Sequence, residues 1–122
     1  MNTQITDCGR LEAGVKERAD CTVRAVAACL DIPYMEAHAR LEDMGRHKRC
    51  RFRFAAATAE ALGLQMRADL SCMTIAKAMN SMQIGRFIVR IQHHVFAVVE
   101  GTVIDGRPVP AGSRVLMVYQ LT

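Results

Sequence analysis

The chain has 122 residues, 51% of them hydrophobic, and a formal net charge of +4. Such a composition supports one packed core and excludes an intrinsically disordered chain. No apolar run approaches the ~20 residues that a membrane-spanning helix needs.

Tryptophan is absent and methionine occurs eight times, so the interior is expected to consist of Ala, Val, Leu, Ile and Met. The opening MNTQITDCGR has no basic segment followed by an apolar one, which argues against a secretory signal and for a cytoplasmic location. The five cysteines, at 8, 21, 29, 50 and 72, are odd in number and form no C-x-x-C. Neither a disulfide framework nor a metal site is expected from that spacing, and nothing calls for a cofactor. The modest positive charge permits an acidic partner without requiring one.

Residues 1–19 are polar and read as a weakly structured lead-in to a single domain spanning 1–122. Helix one is predicted over about 21–30, with Asp20 as its N-cap. DIPYMEAHARLEDMGR reads as a second helix, with Pro33 in its first turn and Gly45 just past its end. The basic stretch RHKRCRFRF follows, then a third helix over about 55–62, a short strand in LQMRA, and a fourth helix in SCMTIAKAMN with Ser71 as cap. After Gly85 the period becomes extended: RFIVRI, HVFAVV, TVID and SRVLMVYQL are rich in β-branched residues and separated by turn signals. Glu100-Gly101 is the expected two-residue hairpin turn. The predicted fold class is α+β, with N-terminal helices packed on a C-terminal antiparallel sheet.

Cys21 stands at the start of helix one. At ~100° per residue, Val23, Val26, Ala27 and Leu30 form the apolar stripe, and Cys21 lies off it beside Ala25 and Ala28, with Arg24 at the margin. The partial positive charge and unpaired N–H groups of a helix N-terminus favour a thiolate, the reactive form of cysteine. The same N–H groups can hold an oxyanion. A buried structural thiol is the plainer account of any one cysteine. Asp7-Cys8 repeats the Asp-Cys pair, but Gly9 follows and no helix does, so it ranks below Cys21.

A thiol nucleophile needs a base. His38 falls inside helix two as a surface or half-buried residue, and His47 falls in the basic loop as a solvated one. His93-His94 opens the strand HVFAVV. If Glu100-Gly101 closes the hairpin, Val99 faces Thr102, Val98 faces Val103, Ala97 faces Ile104 and Phe96 faces Asp105. His94 then shares a sheet face with Phe96 and, one diagonal step away, Asp105, while His93 points to the other face. An acid there can hold the imidazole's tautomer and orientation. Alternatively, Asp105 simply begins the next turn with Gly106.

DCTVRAVAACL and GRFIVRIQHHVFAVVEGTVIDG resemble the papain-like cysteine peptidase superfamily, in particular its compact bacteriocin-leader peptidases, and also small phage-encoded proteins of that type. The resemblance covers about 18–34 and 85–106, roughly a third of the chain. It implies a papain-like fold, Cys21 as nucleophile, His94 as general base and Asp105 as orienting acid. The Gln that such peptidases carry a few residues before the cysteine is absent between Gly9 and Asp20. The oxyanion site would then rest on the Cys21 N–H and a donor that the sequence does not identify.

The implied activity is a cysteine hydrolase cleaving a peptide or isopeptide amide in a peptide or protein substrate. If an amine resolves the acyl-enzyme, the same residues make an acyltransferase. The alternative is a non-catalytic binding protein on the same fold, such as a phage-borne inhibitor of a host protein acting in the host cytoplasm. In the basic stretch, the alternation of Phe52 and Phe54 with Arg46, Lys48, Arg49, Arg51 and Arg53 favours a solvated connection leading into a strand, with Cys50, Phe52 and Phe54 facing the core and the arginines facing water. Nucleic-acid binding through 46–53 is the less favoured reading.

Overall fold

Alternating apolar residues in the second half of the chain build a sheet that is covered on both faces. The computed structural model describes residues 1–15, 19–47 and 52–122. Lys48, Arg49, Cys50 and Arg51 of the basic stretch lie outside the described residues. The fold is α+β. In chain order come β1 (Asn2–Ile5), α1 (Cys21–Leu30), α2 (Tyr34–Asp43), α3 (Ala56–Ala61), β2 (Leu64–Met66), the four-residue α4 (Ile75–Ala78), β3 (Arg86–Ile91), β4 (His94–Val99), β5 (Thr102–Asp105) and β6 (Val115–Leu121). Short 3-10 turns at Ala68–Leu70 and Met79–Ser81 flank α4.

The six strands lie in the order β1-β5-β4-β3-β6-β2. Strands β5, β4, β3 and β6 pair antiparallel, and β2 pairs antiparallel with β6. The period-two alternation splits their side chains between two cores. On one face Ile88, Val95, Ala97 and Tyr119 pack against Val23, Val26 and Ala27 of α1, with Ala37 and Leu41 of α2 and Ala59 of α3. On the other, Phe87, Val89, Phe96, Val98 and Val118 pack under Leu70, Ile75, Met79 and Met82 of the short helical segment. A bulge between Arg90 and Ile91 puts Leu116 out of register in β6, so Val115 and Val118 share one face while Met117 and Tyr119 share the other.

The β4–β5 hairpin has the register expected from its turn, with Val99 opposite Thr102, Val98 opposite Val103 and Ala97 opposite Ile104. Glu100 and Gly101 both have positive φ, at 48° and 78°, as a two-residue turn matched to strand twist requires. Glutamate occupies the strained first position because it holds a neighbour. Its Oε2 accepts from the Gly85 N–H at 3.1 Å, and its own N–H donates to the Gly85 carbonyl at 2.9 Å.

Several expectations need correction. The sheet is mixed, because β1 runs parallel to β5 and makes an edge strand out of residues read as an unstructured lead-in. The fourth helix shrinks to one turn. Thr74 caps it by accepting from the Lys77 N–H at 3.3 Å, whereas Ser71 donates to the Leu116 carbonyl at 3.0 Å. Asp20 precedes α1 but makes no side-chain cap, because its carboxylate is turned inward. Residues 52–55 form no strand, although Phe54 is buried. Arg46 is buried rather than solvated and donates to the Ala19 carbonyl at 3.2 Å. His38 is buried as well, 3.8 Å from Glu42.

Among the described residues, no helix is long and apolar enough to cross a membrane.

Candidate active site

The first residue of α1, the first of β4 and the last of β5 meet at one end of the sheet. Helix α1 rests on the face carrying Val95 and Ala97, whereas His94 stacks on Phe96 of the opposite face, with ring centroids 6.1 Å apart. Cys21 and His94 meet because both stand at the sheet's end, where no strand separates them. A two-residue turn, Gln92-His93, delivers His94 to this place. His93 has φ 61° and sits exposed in the turn, so the strand opens at His94 and not at His93.

The imidazole Nε2 of His94 lies 2.5 Å from Asp105 Oδ2. Asp105 is buried, and its other oxygen accepts from the Gly106 N–H at 2.7 Å. Both readings of Asp105 therefore describe one carboxylate: Oδ1 organises the turn and Oδ2 takes the histidine. With Nε2 occupied, Nδ1 is the ring nitrogen left for the Cys21 sulfur. Asp105 and the Cys21 thiol, opposed by burial, raise the His94 pKa to about 9. Burial pushes the half-buried Cys21 thiol up, yet the His94 side chain, the Val95 N–H and the charge of His94 outweigh it, so the thiol ends below its ordinary value. Opposite shifts of this kind favour a thiolate–imidazolium pair.

The other described cysteines contrast with it where their environments are resolved. Burial raises Cys8 to about 11 despite the nearby Arg24, and raises Cys29 to about 12. Cys8, with φ 56°, lies in a turn with no helix behind it. Cys72 is exposed.

Sequence reasoning placed Arg24 only at the margin of the Cys21 face and missed its role. Its Nε lies 3.2 Å from Asp20 Oδ1 and its Nη1 lies 3.8 Å from Asp105 Oδ1, so one guanidinium spans the acid before the cysteine and the acid behind the histidine. The i, i+4 spacing of Asp20 and Arg24 was the legible signal. Asp20 is fully buried and also accepts from the Tyr34 hydroxyl at 2.9 Å. A Cβ at Gly106 would run into Arg24 Nη1, so a side chain there would displace the guanidinium from its place between the two acids. Since Asp20 is engaged with Arg24 and Tyr34, its side chain leaves the first N–H groups of α1 uncapped beside Cys21.

A cavity of about 750 Å³ opens over these groups, lined among others by Cys21, Arg24, His94 and Phe52. Its far wall is tied to the sheet and to α1: Thr22 donates to the Phe52 carbonyl at 3.2 Å, and Arg90 Nη1 donates to the Phe54 carbonyl at 3.3 Å.

No family model matches the chain, and neither a curated protein nor a solved structure matches it.

Proposed function

We propose that the chain is a papain-like cysteine hydrolase that cleaves a peptide or isopeptide amide. The observation that carries this reading is the meeting of Cys21 and His94, far apart along the chain, in the lining of one cavity, with Asp105 buried behind His94. The chain order Cys, His, Asp supports the papain-like type, as do a cysteine at a helix start and a histidine at a strand start.

In the ion-paired state the Cys21 sulfur attacks the amide carbonyl carbon and the C–O π pair moves onto oxygen. The uncapped N–H groups at the start of α1 are the donors for that oxyanion. On collapse the C–N bond breaks and His94 gives its proton to the departing amine. Water then attacks the thioester, losing its proton to His94. Breaking of the C–S bond releases the acid and restores the thiolate. Asp105 holds His94 through Nε2 in both steps, and Arg24 holds Asp105. An amine in place of water would give acyl transfer by the same residues.

The test is iodoacetamide labelling across pH, read per cysteine by mass spectrometry. Cys21 is expected to react first and to be labelled near neutral pH. In His94→Ala its labelling moves to higher pH. A Cys21 no faster than Cys72 would refute the hydrolase reading and favour a binding protein on the same fold.

A further inference from the structure

The cavity over Cys21 has a sign. Among the described residues, four arginines line it, Arg24, Arg53, Arg90 and Arg107, and no aspartate or glutamate does. Arg24 is neutralised by Asp20 and Asp105. The other three have no carboxylate partner among the described residues, whereas Arg40 pairs with Glu36 and Arg67 with Asp69. Arg53 and Arg107 are exposed at the rim. Arg90 lies deeper; its Nη1 is held by the Phe54 carbonyl, and its buried Nε has no hydrogen-bond partner among the described residues.

Resting on the hydrolase reading, we infer that the site selects acidic peptide segments, with aspartate or glutamate side chains flanking the bond attacked by Cys21. The cationic wall places donors beside the nucleophile, where a substrate's carboxylates would lie, and a carboxylate fits the planar fork of an arginine. Phe52, half-buried in the wall, supplies apolar surface for the intervening residues. Low-dielectric walls of one sign concentrate substrates of the other.

The test uses peptidyl acyloxymethyl ketones bearing two glutamates, two alanines or two lysines. The thiolate sulfur forms a C–S bond to the methylene carbon, and the carboxylate leaves with the bonding pair. The readout is the rate of Cys21 modification by mass spectrometry, which needs no known substrate. At low ionic strength the diglutamyl probe is expected to react about tenfold faster than the dilysyl probe, a gap that narrows at high salt. In the double variant Arg53→Glu/Arg107→Glu the order of the two probes reverses. Equal rates for all three probes, with Cys21 still labelled, would overturn the acidic preference and leave the hydrolase reading standing. Failure of every probe to label Cys21 would overturn both. Equal rates together with protection of Cys21 by a single-stranded oligonucleotide would assign the arginines to nucleic acid and overturn the inference.

Discussion

Asp105→Asn removes a charge but keeps the shape of the side chain, so it isolates what the carboxylate does for His94. Asp105 is the largest cause of the rise in the His94 pKa from 6.5 to about 9. That rise corresponds to about 3 kcal/mol of preference for the imidazolium over the neutral ring. At pH 7.5 the wild-type imidazole is almost wholly cationic, whereas a ring returned to its ordinary value would be protonated in about one molecule in ten. The variant is therefore expected to lower the His94 pKa by one unit or more. The Cys21 thiolate loses a settled counter-charge, and its alkylation at pH 7.5 slows in step. NMR of ¹⁵N-labelled histidine, titrated from pH 5 to 10, measures the first effect, and per-cysteine labelling measures the second. A His94 titration in Asp105→Asn that overlays the wild-type curve would refute the reasoning, since the 2.5 Å contact would then carry no electrostatic weight.

Arg24→Ala should destabilise the fold by about 2 kcal/mol, because fully buried Asp20 loses its nearest cation and Asp105 loses its neighbour. Arg40→Ala breaks a shorter but exposed pair with Glu36 and should cost less than about 0.5 kcal/mol. Urea titrations of the two variants side by side check the contrast, and equal costs would show that burial does not govern these pairs. The His94 pKa is raised in the folded state, so its contribution to stability is full below about 6.5 and is lost as pH rises through about 9. The stability gap between wild type and His94→Gln should therefore shrink by about 3 kcal/mol across that interval, and a gap independent of pH would contradict the assignment.

The local pattern of the chain determined most of its helices and sheet strands and one decisive register. Helices α1 and α2 follow from apolar spacing, the strands from alternation, and the Glu100-Gly101 turn sets which residues of β4 and β5 stand opposite. Because that pairing depends only on neighbours in sequence, His94 and Asp105 could be placed on one face before any coordinates. Local pattern does not carry the cost of burying a group against something distant in the chain. Nothing in MNTQI announces a parallel strand on β5; edge strands formed with remote partners leave little periodicity behind. Asp20 has the signature of a cap, but Tyr34 and Arg24 offered its carboxylate stronger partners inside the fold. Arg46 and His38 look like surface residues because burial of a charged or titratable side chain depends on acceptors that only folding supplies. The approach of Cys21 to His94 is of the same kind. It required a helix on one face of the sheet and a ring on the other to meet around its end, which the packing of two cores, and not any stretch of sequence, brought about.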